Sequence, residues 1–405
     1  MKIKLLHSFL LAGLLSTPQM LHAQKAEKEP KYNFSNGLGL VTPDSTFSIN
    51  FRFRTQLRST YNTVSTSDFS ANDIEARVRR LRLRMDGFLV NPKINYYIQL
   101  SFSRGDMDWS GPDNSSVNSS PNVVRDAVLI YKPNPKLSVI FGQTKLPGNR
   151  QRVVSSGELQ FADRSIVNAT FNIDRDFGIQ CVYQDKLVGI DYVLKGAISS
   201  GEGRNSNLSN AGLAYTGRVE VLPLGKFTNK GDYFEGDLER EKKPKLSIAA
   251  GYHFNESAAR TAGTLGKDLY QNRNLKAFIA DILFKYKGFA LSAEYITRNT
   301  DNPITINAAN TQRIVYVGNG KMMQMSYIFK NDIELAGRYA LITPYSSIQT
   351  KELQKEEIGL GVTKYLRKHR VKLQGNLFYY NNVNMSTSTS TQNFWSGTFQ
   401  VELGI

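Results

Sequence analysis

The sequence contains one cysteine and only four histidines. Cys181 has no partner, so the chain is held together without an internal disulfide. His7 and His22 lie in a predicted leader, which leaves His253 and His369, and neither lies at a recognisable spacing from a Ser and an Asp. No cluster has the spacing of metal ligands. These absences disfavour an enzyme and predict no catalytic residue, no metal ligand and no cofactor.

Long hydrophobic runs are also missing. Residues 1–23 combine two lysines near the start, an apolar middle and Ala23 before Gln24, which predicts a secretory signal peptide. Its apolar run is shorter than the roughly 20 residues that a membrane-spanning helix needs. No later segment reaches that length, so a membrane location would require strands. We expect residues 24–45 to form a periplasmic N-terminal segment.

Acidic residues are fewer than basic residues. The chain has 51 Lys and Arg against 35 Asp and Glu, which gives a net charge of +16 and a pI near 9.6. Such an excess indicates an anionic partner, which could be nucleic acid, anionic lipid or small anions. The positions of the charges must decide among these three.

Apolar and polar residues alternate along about sixteen segments, which predicts strands. They lie near 48–61, 74–89, 94–103, 123–131, 137–144, 176–183, 187–198, 213–222, 246–254, 275–285, 289–298, 322–329, 333–341, 355–364, 369–379 and 393–405. Short polar connections alternate with long ones, which is typical of outer-membrane barrels. The connection 223–245 breaks this alternation and is either a periplasmic insertion or a miscounted strand.

The predicted fold is therefore all-β, a transmembrane antiparallel β-barrel of about 16 strands over residues 46–405, with long outer loops. A soluble β-sandwich or propeller is the alternative, since each also alternates strands with loops. No blade-length repeat is present, and aromatic residues are spread through the strands as a lipid-facing belt requires. A barrel of this size encloses an aqueous channel.

The first predicted strand, "FSINFRFRTQLRSTY" (47–61), separates arginines from phenylalanines. Arg52, Arg54 and Arg58 fall on one face, and Phe51 and Phe53 fall on the other. An arginine facing lipid at mid-membrane costs about 2–4 kcal/mol, so the arginine face must line the lumen.

The second strand repeats this pattern more densely. Arg80, Arg82, Arg84 and Asp86 share one face, whereas Arg79 is out of phase with Arg80. Either a bulge between Arg79 and Arg80 turns all the arginines inward, or the earlier ones sit at the outer rim. Guanidinium groups suit oxyanions because each can donate two hydrogen bonds to phosphate or carboxylate oxygens. Repeated shallow sites also let an ion move on.

The long loop 145–175 is the predicted constriction, because unstructured connections of this length are usually functional. Lys145, Arg150, Arg152 and Arg164 would narrow and charge the pore if the loop folds into the lumen. A solvated surface loop is the alternative.

Three stretches carry a family resemblance: "RVRRLRLRMDGFL" (77–89), "VRDAVLIYKPNPKLSVIFGQTKLPGNRQR" (124–152) and "ADRS" (162–165). Together they resemble the phosphate-selective porin O and P family of outer-membrane channels. The resemblance implies a sixteen-stranded barrel, usually a homotrimer, whose third loop folds into the lumen. It places the family's paired arginines on Arg79 and Arg80 and its lysine on Lys145.

The expected function is diffusion of small, phosphate-like anions through an arginine-lined pore in the outer membrane of a Gram-negative bacterium. A general, weakly selective porin and a non-transporting binding barrel remain alternatives. Nucleic-acid binding is disfavoured because it needs basic residues beside stacking aromatics on one surface, and here the aromatics occupy the opposite face.

Overall fold

The structure, a computed structural model, describes residues 29–34, 37–103, 122–206 and 210–405. The predicted signal peptide, residues 1–23, lies outside the described residues, as does nearly all of the second outer loop. No helix within the described ranges is long and apolar enough to cross a membrane.

Sixteen antiparallel strands form a closed barrel, and each predicted strand is present. The strands are β3 (Ser48–Thr63), β4 (Ala71–Leu89), β5 (Asn91–Ser101), β6 (Val124–Asn134), β7 (Leu137–Lys145), β8 (Arg175–Leu187), β9 (Ile190–Ser199), β10 (Ala214–Leu222), β11 (Lys245–Arg260), β12 (Asp268–Tyr286), β13 (Phe289–Asn299), β16 (Gly318–Ile328), β17 (Ile333–Pro344), β18 (Gln354–Arg367), β19 (Val371–Asn384) and β20 (Thr389–Gly404). The barrel fold is therefore confirmed, although β11 and β12 extend further into the outer loops than predicted.

Four short strands were not predicted. β1 (Lys31–Asn33) and β2 (Leu38–Val41) form a hairpin beside the start of β3, and β14 (Ile304–Ile306) pairs with β15 (Gln312–Ile314) in an outer loop. β20 closes the barrel by pairing with β3 from Gly404↔Arg54 onward, whereas β2 pairs with β3 from Leu38↔Phe51 to Val41↔Ser48. The hairpin thus covers the edge of β3 that β20 leaves unpaired.

The wall has a polar inner face and an apolar outer face. Along β16, Gln324 and Ser326 are buried toward the inside, while Met323, Met325 and Tyr327 are exposed on the outside. Because side chains alternate across a strand, this period of two divides the wall into one face for lipid and one for the lumen.

Long connections lie at one end of the barrel and short ones at the other, with one exception. Residues 223–244 contain no barrel strand; they fold into the barrel through a short 3₁₀ segment, Thr228–Tyr233. Lys285 holds this segment by donating its Nζ to the carbonyl oxygens of Gly231 (2.7 Å) and Phe234 (2.8 Å). Of the two readings of this connection, the insertion is correct and the miscounted strand is wrong.

The two faces of β4 predict opposite effects of charge. Leu83 lies on the outer face, and its cross-strand partners are Phe53 on β3 and Leu100 on β5. Leu83→Arg should impair assembly by about 2–4 kcal/mol if the side chain lies near the midplane, because lipid cannot solvate the guanidinium. Heat-modifiable migration on a gel measures the folded fraction, and Leu83→Met is the matched control. Normal folding of Leu83→Arg would contradict the assigned faces.

Candidate functional site

The arginines of β3 line the inside of the barrel. Arg58 is buried and Arg52 and Arg54 are partly buried, whereas Phe53 and Leu57 on the opposite face are exposed. The predicted orientation of this strand is therefore confirmed.

A β-bulge brings the arginines of β4 to the same side. Gln56 pairs with Arg80, but the next residue, Leu57, pairs with Val78, so Arg79 is the extra residue of the bulge. Arg79 Nη2 lies 3.7 Å and Arg80 Nη2 3.5 Å from Asp163 Oδ1, so both reach the same carboxylate. The bulge is thus the correct alternative, and it lets two successive residues point inward.

The loop between β7 and β8, residues 146–174, folds into the lumen as predicted. It contains α1 (Arg150–Val153) and α2 (Ile166–Phe171), and the Ser165 side chain caps α2 by accepting from the Asn168 N–H at 3.2 Å. Val167 and Phe171 of α2 are fully buried against apolar wall residues that include Ile296 and Ile342. This apolar contact lies inside a barrel whose inner wall is mostly polar, and it fixes one end of the loop.

Arginines of the wall dock the middle of this loop. Arg54 and Arg82 donate to the Ser156 hydroxyl at 2.7 and 2.8 Å, and Arg58 donates to the Ala162 carbonyl at 2.7 Å. A Cβ added to Gly157 would lie 2.0 Å from Arg54 Nη1, so a larger residue here would displace the Arg54 guanidinium. These arginines therefore position the loop as well as charging the lumen.

The four cations predicted in the loop have different surroundings. Arg150 is buried against the wall, where it donates to Asp281 (2.6 Å) and Ser247 (2.8 Å), so its placement as a pore-lining residue is corrected to an anchor. Arg152 pairs with Asp174 at 2.7 Å.

Lys145 and Arg164 hold the end of α1. Lys145 Nζ donates to the Val153 carbonyl at 2.8 Å, and Arg164 donates to the Val154 carbonyl at 2.7 Å; neither forms a salt bridge among the described residues. Burial lowers the pKa of Arg164 well below its usual range, and the neighbouring Arg152 and Arg80 lower it further. Several positively charged side chains therefore lie close together in the lumen, beside the end of α1.

The inserted segment 223–244 supports the loop from the other end of the barrel. The Glu235 N–H donates to the Glu158 carbonyl at 2.9 Å. The Glu235 carboxylate accepts from the Gln160 N–H at 2.9 Å and from the Gln324 side chain at 3.1 Å. Both inserted segments therefore meet inside the barrel, and together they narrow it.

A cavity of about 610 Å³ remains between these segments and the wall. It runs from the middle of the barrel toward the short-turn end. Five of the predicted cations line it, namely Arg52, Arg54, Arg82, Arg84 and Lys145. The other predicted site residues do not line it, namely Arg58, Arg79, Arg80, Asp86, Arg150, Arg152 and Arg164.

Sequence reasoning missed Arg175 and Tyr97, which line the same cavity. Arg175 is the cross-strand partner of Lys145. Arg175 donates to Asp126 at 2.9 Å, and this carboxylate offsets the repulsion between the two cations. Arg84 lies over the Tyr97 ring, 4.6 Å from its centroid. Arg175 is the fourth residue of "NIDRD" (172–176), where the loop returns to the wall opposite Lys145, and this position was the available signal.

Asp86 is shared by two arginines. It accepts from Arg52 Nη2 at 2.7 Å and from Arg84 Nε at 2.9 Å, and all three side chains are partly exposed.

Among the described residues, no group of His, Cys, Asp or Glu side chains could hold a metal ion.

The closed barrel with an apolar exterior, a cationic lumen and an inward-folded loop defines an outer-membrane channel. Solved structures with this fold include the outer-membrane channel DcaP of Acinetobacter baumannii (TM-score 0.56, 10% identity, covering 90% of this chain and 99% of that one) and Salmonella typhi OmpF in complex with daunomycin (0.54, 11%, 89% and 98%). OmpT of Vibrio cholerae is also similar (0.51, 11%, 90% and 100%). A comparison with curated proteins gave no significant match.

The family model "Phosphate-selective porin O and P" matches residues 50–348. The chain belongs to this family, and it is a porin of the Gram-negative outer membrane.

Phe161 tests the docking of the loop. It is fully buried against Phe378, and the Arg338 guanidinium lies 4.4 Å from its ring centroid. Phe161→Ala should cost about 3–5 kcal/mol of local packing, so the loop should leave the wall and single-channel conductance should rise in a still-folded barrel. Phe399→Ala, on the exposed outer face, is the matched control and should leave conductance unchanged. Unchanged conductance in Phe161→Ala would argue against a docked constriction.

Proposed function

We propose that this porin conducts small anions, with phosphate-like oxyanions as its preferred solutes. The observation that carries the proposal is the cavity of about 610 Å³, where Arg52, Arg54, Arg84, Lys145 and Arg175 face one space. Acidic side chains also line the cavity, among them Asp126, Glu158 and Glu402. The cavity therefore attracts anions without being uniformly basic.

The exposed arginines are the ones suited to contact a passing ion. The side chain of Arg84 is 38% exposed and that of Arg52 is 28% exposed, and Asp86 holds them in fixed orientations. A guanidinium that is already oriented loses less entropy when it donates to an oxyanion. Because Asp86 neutralises part of the charge, binding stays weak enough for the ion to leave.

Asp86 supports a preference for protonated oxyanions. A carboxylate beside two arginines could accept the proton of hydrogen phosphate while the guanidinium groups bind its oxygens. Sulfate carries no such proton, so it would leave Asp86 facing an unpaired anionic oxygen. The phosphate preference within the proposed function rests on this contrast.

The assembly we propose is a homotrimer surrounded by outer-membrane lipid, as the family resemblance implies. Each protomer would then carry its own pore, since the strands of one chain close the barrel around its lumen. Reconstitution should give conductance in three equal steps per insertion event.

Selectivity is tested with the purified porin in a planar bilayer under a salt gradient. The reversal potential should have the sign of anion preference, and phosphate should block chloride current at lower concentration than sulfate. Cation preference or absence of conductance would contradict anion transport. An anionic reversal potential without oxyanion block would leave a general, weakly selective pore.

Arg84→Ala tests the lining of the cavity. The variant should weaken anion selectivity and raise the half-blocking phosphate concentration by about tenfold, equivalent to the roughly 1.4 kcal/mol of a charge-assisted hydrogen bond. Arg77→Ala is the matched control. Arg77 lies on the same strand but outside the cavity, where it pairs with Glu75 at a distance of 2.6 Å. Equal effects of the two variants would indicate a general loss of charge instead of a site.

A further inference from the structure

The inserted segment 223–244 separates its acidic side chains from its lysines. Three of its five acids are buried, and two of these hold the segment in place: Asp237 accepts from the Gly288 N–H at 2.7 Å, and Glu241 accepts from the Thr228 N–H at 2.6 Å. The lysines are instead exposed, and their side chains have no ion-pair or hydrogen-bond partner among the described residues, namely Lys226, Lys230, Lys242 and Lys243. The contacts that fix the segment therefore do not involve its lysines.

Three neighbouring short turns extend this basic surface. The Lys287 N–H, in the β12–β13 turn, donates to the Glu241 carbonyl at 3.0 Å, and Arg240 donates to the last carbonyl of β16 at 2.7 Å. Lys368, in the β18–β19 turn, forms an ion pair with Glu239 at 2.9 Å. The inserted segment is thus joined to all three turns, which add four exposed cations: Lys287, Lys330, Arg367 and Lys368.

We call these eight side chains the basic periplasmic face, because the short turns of outer-membrane barrels lie on the periplasmic side. The same four connections carry one exposed acid, Asp332, and two partly exposed ones, Asp232 and Glu239, so positive charge is in excess. The connections follow one another at intervals of two strands, which extends the face over roughly 30 Å of the rim. This extent suits a macromolecule, since a small anion contacts only one or two side chains.

We propose that the basic periplasmic face is a docking surface for an acidic segment of a periplasmic protein. Opposite charges across an interface steer the partner and fix its orientation more than they add affinity. The backbone under the face is already held by hydrogen bonds to neighbouring turns, so little of it has to be ordered on binding. The inference does not depend on which solute the pore conducts.

The position of the face favours a protein over lipid headgroups. Lys230 belongs to the 3₁₀ segment that Lys285 holds inside the barrel, away from the surrounding lipid. Glu239 and Lys368 also line the cavity of the lumen. A partner docked on this face would therefore lie beside the periplasmic opening, where solutes leave the pore.

Binding of a fluorescein-labelled decaglutamate peptide to the purified full-length porin, followed by fluorescence anisotropy, tests this surface. A fourfold variant combines Lys226→Gln, Lys230→Gln, Lys242→Gln and Lys243→Gln. Its dissociation constant for the peptide should rise by about tenfold or more, because several exposed ion pairs are lost together. Binding to the unsubstituted porin should also disappear in 1 M salt, where the Debye length falls to about 3 Å.

The matched control removes the same number of charges from the long-loop end of the barrel. It combines Lys267→Gln, Lys276→Gln, Lys321→Gln and Lys351→Gln, all at exposed positions. The dissociation constant of this variant should equal that of the unsubstituted porin. Heat-modifiable migration on a gel confirms that both fourfold variants are folded, which is expected because none of the lysines of the inserted segment holds it in place.

Each other result contradicts the inference. Equal weakening in the two fourfold variants would show that the peptide responds to net charge, and an unchanged dissociation constant in the first variant would place the peptide elsewhere. Binding that persists in 1 M salt would not be electrostatic. A porin that fails to bind decaglutamate but sediments with isolated murein, and loses this in the first variant alone, would assign the face to the cell-wall polymer instead of a protein.

Discussion

An arginine facing hydrocarbon at mid-membrane costs about 2–4 kcal/mol, and the arrangement of the barrel follows from avoiding that cost. Because side chains alternate along a strand, β3 and β4 can carry arginines only if their other face is apolar. Phe53 and Leu57 therefore face lipid, while Arg54 and Arg58 face the lumen. The bulge at Arg79 extends the rule, since it turns an additional arginine inward without exposing it to lipid.

Because the cations are grouped in the lumen, the repulsion between them must be offset. The inserted loop supplies groups that do so. Unpaired guanidinium groups at the spacing of alternate residues, roughly 7 Å, would repel one another by about 2.4 kcal/mol at an effective dielectric of ~20. Asp163 and the Ser156 hydroxyl offset this repulsion and dock the loop at the same time. The constriction and the charge of the pore are thus two consequences of one set of contacts. Arg52 and Arg84, which pair with Asp86, stay partly exposed, and we propose that they contact solutes.

The fold was predictable from sequence because strand alternation and connection length are local signals. Sixteen strands and the inward orientation of the arginines follow from them. The partners of those arginines were not predictable, since Arg58 and Asp163 are 105 residues apart and only the folded loop brings them together. The same holds for Arg150, whose partner Asp281 lies on a distant strand, and for Glu235, in a connection whose length gave no sign that it enters the barrel.

Locating oxyanions in the lumen tests the account most directly. Crystals of the porin soaked in selenate and measured at the selenium absorption edge would show each bound ion as an anomalous peak. We expect peaks in the cavity beside Arg52 and Arg84. Selenate found only on the outer surface, with none in the lumen, would contradict a pore built to bind oxyanions.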